Sequence, residues 1–138
     1  MPADSVNALF VYGTLRSDFA GPFAKRLQTF CGAPVAGRVQ GKIFDLGEYP
    51  GLVESDHAGD IVFGEVYRLP PSSEALLQEL DEYEDVPGGL YARRVFSAQL
   101  AGGELISVYA YVYLMQPIDF KWIPGGDYVA HRHAKRHH

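Results

Sequence analysis

The sequence predicts an α+β fold: a small, strongly curved, mixed β-barrel with about two flanking helices. About six strand-like segments and two helical ones follow one another without a regular strand–helix alternation, which disfavours a Rossmann-type sheet. Glycines recur where strands end or bend, as expected at the corners of a tightly curved sheet. These corner positions are Gly13, Gly37, Gly41, Gly64 and the pairs Gly88-Gly89 and Gly102-Gly103.

The first part of the chain predicts a buried strand, a short helix and a long, interrupted strand. Residues 8–12 (ALFVY) are continuously apolar and end at Gly13, which is typical of a buried strand. A short helix is expected within residues 19–30. Residues 35–46 have strand character, and Gly37 and Gly41 within them predict bends or bulges.

The middle of the chain predicts a turn, two strands and a helix. A turn at 48–51 (EYPG) precedes a short strand at 52–53. Residues 61–69 (IVFGEVYRL) predict a strand that leads through two prolines into a helix over 72–85, with Ser72 as its N-cap. Pro87-Gly88-Gly89 ends this helix.

The last predicted elements form a β-hairpin. Residues 91–100 and 104–114 flank a glycine-containing turn. In the second arm, aliphatic residues alternate with Tyr109, Tyr111 and Tyr113, so one face is aliphatic and the other carries tyrosines. This pattern is expected of a strand that packs on both sides or lines a small cavity.

The helix predicted over 72–85 carries one acid on its apolar side. At about 100° per residue, Glu84 projects within the same arc as Tyr83 and three leucines. The other acids of the segment project outside that arc: Glu74, Glu79, Asp81, Glu82 and Asp85. Burial deprives a carboxylate of hydration and makes it a better proton acceptor, so Glu84 is the candidate for proton transfer.

Size and composition predict a single domain over residues 1–130 and a basic, histidine-rich tail over 131–138 that is expected to be disordered. The chain has 138 residues, of which 47% are apolar and 21% charged. No apolar run is long enough to cross a bilayer, and the N-terminus lacks the regions of a secretory signal. Cys31 is the single cysteine, so no intrachain disulfide can form, and we expect a cytoplasmic location.

The charge balance argues against nucleic acid as a partner. The formal net charge is −5, and three of the 12 basic residues lie in the tail, so the body carries 9 basic and 17 acidic side chains. Such a body would repel a phosphate backbone. The tail histidines have no acid among them, so we expect a solvated tail rather than a metal site. They are His131, His133, His137 and His138.

The loop after the first strand is the second candidate functional feature. Gly13 has no side chain, so backbone N–H groups there could point at a carboxylate or a developing oxyanion, and Thr14 could add a hydroxyl donor. The loop lacks the spacing of a phosphate-binding loop. No serine elbow or metal-ligand spacing occurs, and Cys31 has only His57 as a histidine outside the tail. The sequence therefore predicts neither a cofactor nor a metal, but proton transfer and oxyanion stabilisation.

Seven short strings mark nearly the whole length of the chain in a specific order and spacing. They are FVYGTL at 10–15, DLGEYPG at 45–51, GEVY at 64–67, LDEYE at 80–84, YARR at 91–94, YVY at 111–113 and GDY at 126–128. On these strings the sequence resembles the γ-glutamylcyclotransferase-like family, in the branch that includes γ-glutamylamine cyclotransferases. One departure is Tyr128, where similar proteins often have Trp.

The resemblance implies an enzyme that cyclises a γ-glutamyl amine or peptide to 5-oxoproline and releases the free amine. It implies Glu84 as the general acid and base, and Tyr91 as a wall of the pocket. Its substrate loop is Tyr12, Gly13, Thr14 and Leu15. The expected partner is a small γ-glutamyl molecule, bound by a monomer or a homodimer, with no nucleic acid and no membrane involved.

The sequence also suggests residues that could bind a substrate carboxylate, and it leaves one alternative function open. Arg16, Arg93 and Arg94 are candidate clamps for a substrate carboxylate. The alternative function is a non-catalytic binding or interaction module on the same scaffold, in which Arg38 or Arg94 would pair with Glu84. An open cavity that joins Glu84 to the Gly13 loop would favour the enzyme.

Overall fold

Five strands close a small barrel. The computed structural model describes residues 6–13, 15–16, 21–47, 50–115 and 121–136. Around the barrel the strands are β1 (Ala8–Val11), β5 (Ile61–Arg68), β2 (Val35–Gln40), β6 (Tyr91–Leu100) and β7 (Leu105–Tyr113). Neighbours are antiparallel, except that β1 meets β7 in parallel at Leu9 and Tyr109, which closes the ring. The predicted α+β class with a mixed barrel is confirmed.

A second sheet and three helices complete the described part of the chain. The sheet has the order β4-β3-β8 and consists of β3 (Lys42–Asp45), β4 (Pro50–Val53) and β8 (Lys121–Trp122). The helices are α1 (Pro22–Cys31), α2 (Glu74–Tyr83) and α3 (Tyr128–Arg136). The described residues thus hold three helices and eight strands, where two and about six were expected. None of these helices is long and apolar enough to cross a membrane.

Gly41, and not Gly37, interrupts the long strand predicted over 35–46. β2 ends at Gln40 and β3 begins at Lys42, and a Cβ at Gly41 between them would lie 2.9 Å from Leu52 Cδ1 of β4. Gly37 instead lies inside a continuous β2 and pairs with Gly64. Of the turn expected at 48–51, residues 48 and 49 lie outside the described residues, and Pro50 and Gly51 belong to β4.

The core has two parts, one on each face of the barrel strands. Along β1, Ala8 and Phe10 face the first part, which fills the barrel, whereas Leu9 and Val11 face the second, which lies under α1 and α2. This double burial explains the continuous apolar run of β1. The same alternation in β7 places Val108 and Ala110 in the first part and Tyr111 in the second, in agreement with the two-faced pattern.

Helix α2 is shorter than predicted at both ends. Its N-cap position is Ser73, whose hydroxyl donates to the Pro70 carbonyl at 2.5 Å, so the prediction of Ser72 was wrong. Ser72 itself has a left-handed backbone with φ of 65°. The helix ends at Tyr83, which is 53% exposed rather than part of the buried side, and Glu84 is its C-cap.

Residues 131–136, which the sequence assigns to a disordered tail, lie instead in helix α3. Its N-terminus is held by Asp127, whose Oδ1 accepts from the Ala130 amide at 3.2 Å. The His131 Nε2 lies 2.8 Å from Asp45 Oδ2 on β3, and both side chains are largely buried. Sequence inspection found no acid near the histidines because this partner comes from a strand far away in the chain.

Candidate active site

A cavity of about 500 Å³ joins the C-terminal end of α2 to the loop after β1. Five predicted site residues line it together: Tyr12, Gly13, Leu15, Glu84 and Tyr91. Thr14, the sixth, lies outside the described residues. The remaining lining residues are Phe10, Val11, Pro50, Tyr83, Asp85, Leu90 and Tyr111.

The end of α2 fixes the position of Glu84 through a Schellman motif. Asp85 follows Glu84 in a left-handed conformation with φ of 58°, a position that usually requires glycine or asparagine. The Val86 amide then donates to the Asp81 carbonyl at 2.9 Å, and the Asp85 amide to the Glu82 carbonyl at 3.1 Å. Val86 also packs against the core part that holds Leu80. These contacts hold the Glu84 side chain at the cavity wall.

The Glu84 carboxyl is a poor acid for its residue type. Desolvation by burial raises its pKa from 4.5 to about 7. The partial negative charge at the C-terminal end of α2 acts in the same direction. Among the described residues, no hydrogen bond or ion pair reaches the Glu84 carboxyl. Arg38 instead donates to Gln99 Oε1 at 2.7 Å, and Arg94 pairs with Glu54 at 3.5 Å. Neither arginine therefore forms the ion pair with Glu84 that the non-catalytic alternative requires.

Four of the described tyrosines line the cavity, and three of them, Tyr12, Tyr91 and Tyr111, direct their hydroxyls away from Glu84. The Tyr12 hydroxyl donates to the Tyr111 carbonyl at 2.7 Å and accepts from the Leu52 amide at 3.3 Å. The Tyr91 hydroxyl donates to the Pro50 carbonyl at 2.8 Å. The Tyr111 hydroxyl donates to Asp81 Oδ1 at 2.7 Å. None of these three bonds stabilises an ionised Glu84, which is consistent with the direction of its pKa shift.

Burial also keeps two of these phenols protonated. It raises the pKa of Tyr12 well above its usual value, with further contributions from Tyr91 and Glu84. Burial and the bond to Asp81 raise the pKa of Tyr111 in the same way. Near neutral pH both side chains are therefore hydrogen-bond donors rather than bases, and Glu84 is the group in the cavity suited to accept a proton.

Gly13 allows the backbone of the loop after β1 to lie close to Pro50. A Cβ on Gly13 would lie 2.6 Å from Pro50 Cγ and 2.9 Å from its Cδ, so the proline ring occupies the space a side chain would need. The Arg16 amide donates to the Gly13 carbonyl at 3.0 Å and closes a turn. Because Gly13 has no side chain, it presents its backbone to the cavity.

The structure does not support the three arginines as substrate clamps. Arg16 pairs with Asp127 at 3.1 Å, Arg93 with Asp81 at 3.2 Å, and Arg94 with Glu54. None of them lines the cavity, whose described lining contains two carboxylates and no Lys, Arg or His. A carboxylate bound here would rely on backbone N–H groups, which suits the loop at Gly13.

Sequence reasoning missed three residues of the site. Pro50 lines the cavity and accepts the Tyr91 hydroxyl, and Tyr111 forms a wall. Asp81, which projects outside the apolar arc, holds that wall through the Tyr111 hydroxyl. Pro50 and Tyr111 lie in two of the short strings described above, but their contacts depend on strands that are far apart in the chain.

The structure thus combines a small mixed barrel with a cavity that Glu84 and Gly13 line together. Residues 9–130 match the sequence profile of the family described as γ-glutamyl cyclotransferase, AIG2-like. The chain belongs to this family. A comparison with curated proteins gives no match.

Solved structures of related proteins share the fold. An AIG2-like protein from Mus musculus is 24% identical, with a TM-score of 0.70 and coverage of 88% of this chain and 87% of its own. PH0828 from Pyrococcus horikoshii is 22% identical, with a TM-score of 0.67 and coverage of 97% and 98%. YkqA from Bacillus subtilis is 22% identical with a TM-score of 0.70, but this chain, 97% of which is covered, spans only 44% of it. At these identities the likeness concerns the fold.

Proposed function

We propose that this protein is a γ-glutamylcyclotransferase that cyclises a γ-glutamyl amine or peptide to 5-oxoproline and releases the free amine. The observation that carries the proposal is the shared cavity of Glu84 and the Gly13 loop. The proposed partner is a small γ-glutamyl molecule in the cytoplasm, and the reaction needs no cofactor.

The proposed reaction uses a nucleophile that the substrate itself carries. The α-amine of the glutamyl group attacks its own γ-carbonyl, a C–N bond forms to close a five-membered lactam, and the original amide C–N bond breaks. Alignment within one molecule can be equivalent to an effective concentration of about 10⁵ M or more. The apolar walls of the cavity support the folding of the substrate into this geometry.

Glu84 is proposed to move the proton that the reaction transfers. The α-amine is protonated near neutral pH and must lose a proton to attack, and the leaving nitrogen must gain one. A carboxyl whose pKa is about 7 can accept the first proton and donate it to the second site. An ordinary glutamate near 4.5 would be a much weaker base.

The loop at Gly13 and the tyrosine walls are proposed to bind the substrate. Backbone N–H groups between Gly13 and Leu15 would hold the substrate carboxylate or stabilise the oxyanion of the tetrahedral intermediate. One such oxyanion donor is worth about 3 kcal/mol. Tyr12, Leu15 and Tyr91 supply the remaining contact surface.

The test is a screen of γ-glutamyl compounds with neutral, cationic and amino-acid leaving groups. Mass spectrometry would follow 5-oxoproline and the released amine, with the Glu84→Gln variant as the matched control. We expect at least one compound to give both products in equal amounts with the native chain and neither with the variant. Saturable binding of these compounds without any 5-oxoproline would refute the enzyme and support the binding module.

A further inference from the structure

Asp81 connects the end of α2 to two barrel strands. Its Oδ1 accepts the Tyr111 hydroxyl of β7 at 2.7 Å and lies 3.2 Å from Arg93 Nε of β6. The Arg93 guanidinium also stacks over the Tyr109 ring, 4.8 Å from its centroid. The Asp81 carbonyl accepts the Val86 amide that completes the Schellman motif around Glu84. One residue thus holds both the cavity wall and the turn that carries Glu84.

Asp81 and Glu84 both act on the Tyr111 hydroxyl, Asp81 through a hydrogen bond and Glu84 electrostatically. They are three residues apart at the end of α2, a spacing that places side chains on neighbouring positions of one face. Tyr111 lines the cavity together with Glu84 and interacts electrostatically with it. A phenol has one proton to donate, and it goes to Asp81, whose carboxylate is further ordered by the guanidinium of Arg93.

We propose that Asp81 is a positioning residue that sets the proton affinity of Glu84 by holding the Tyr111 hydroxyl away from it. The consequence for catalysis rests on the proposed function, in which Glu84 is the proton acceptor. The hydrogen-bond competition itself does not, because it concerns only the groups of the free protein.

Among the groups around Glu84, Tyr111 has the hydroxyl that a side-chain substitution can release. Tyr12, which follows β1, and Tyr91 of β6 both donate to backbone carbonyls, so no substitution of an acceptor side chain would release their hydroxyls. Asp85 and Tyr83, its neighbours in the chain, line the cavity on the exposed side. The Tyr111 hydroxyl, in contrast, donates to a side chain, so a substitution of that acceptor releases it.

The experiment is the titration of the Glu84 side-chain carboxyl by carbon-detected NMR in the free protein. Asp81→Ala releases the Tyr111 hydroxyl to Glu84, removes a nearby negative charge and frees the positive charge of Arg93. All three changes favour the ionised carboxyl, so the pKa of Glu84 should fall by about one pH unit or more. If a γ-glutamyl substrate is found, the acidic limb of the kcat/KM profile should move by the same amount.

Three variants separate the effect of the Tyr111 hydroxyl on the Glu84 titration from the effect of the Asp81 charge. Tyr111→Phe alone should leave the Glu84 titration within about 0.3 pH units of the native protein, because the hydroxyl does not bond to Glu84 there. Asp81→Ala with Tyr111→Phe should recover at least half of the shift seen in Asp81→Ala. Asp81→Asn keeps an acceptor for the hydroxyl and should give the smaller shift that is due to charge alone. Asp81→Ser provides a second truncation if the alanine variant does not fold.

The proposal is overturned if truncation of Asp81 lowers stability while the Glu84 titration stays where it is. It is equally overturned if the Tyr111→Phe change makes no difference in the Asp81→Ala background. Neither result depends on turnover, so failure of this proposal and failure of the proposed function are distinguishable.

Discussion

Replacement of Glu84 by glutamine is expected to abolish turnover and, at the same time, to stabilise the fold above neutral pH. Glutamine has nearly the same shape but cannot exchange a proton, and general acid–base catalysis contributes about 10²–10⁴-fold to a rate. We therefore expect 5-oxoproline release to fall by at least two orders of magnitude.

The stability effect follows from the raised pKa. Below about pH 4.5, Glu84 is protonated in the folded and unfolded states and contributes no difference. As the pH rises from 4.5 to about 7, the unfolded chain loses this proton first, so the folded state is progressively destabilised. Above pH 7 the penalty is constant at about 3 kcal/mol. Glu84→Gln removes this penalty, which corresponds to a gain of about 10 °C in Tm at pH 8.

The assay compares thermal unfolding of the native and Glu84→Gln proteins at pH 4.5 and pH 8, together with 5-oxoproline release. The two unfolding curves should nearly coincide at pH 4.5 and separate at pH 8, with the variant more stable. A variant that is equally or less stable at pH 8 would show that Glu84 is well solvated, and native-like turnover would remove it from the mechanism.

Three further predictions concern the cavity and its support. Gly13→Ala should lower stability by about 1–3 kcal/mol and impair turnover, because the new methyl group would collide with the Pro50 ring. Gly102→Ala is the control, because a Cβ there meets open space, and it should change neither the unfolding curve nor the rate. Tyr91→Phe should cost about 1 kcal/mol in the same unfolding measurements, because it removes the bond to the Pro50 carbonyl. It should raise KM more than it lowers kcat, and an unchanged KM would contradict a role for Tyr91 in binding. Gly126→Ala should be strongly destabilising in denaturant titrations, since its φ is 71° and a Cβ would lie 1.8 Å from the Ile61 carbonyl oxygen, with Gly125→Ala as the matched neutral control.

Two elements show where sequence reasoning falls short. Helix α3 carries few apolar residues and depends on Asp127 and on the contact between His131 and Asp45, so its local sequence gave no signal of order. The clamp hypothesis for Arg16 was reasonable from its position beside the loop, but its acid partner is 111 residues away. In both cases the missing information was the identity of a distant partner.

The sequence by itself determined the curved α+β architecture, the strand order along the chain, the loop at Gly13 and the choice of Glu84 among its acidic neighbours. These features are local, because hydrophobic periodicity and glycine positions report which side of a strand or helix faces the core. Only the tertiary structure decided that Glu84 has no cation beside it among the described residues and that Tyr12, Tyr91 and Tyr111 direct their hydroxyls elsewhere. Tyr12 and Tyr111 are 99 residues apart, and they meet only because β1 closes the barrel against β7.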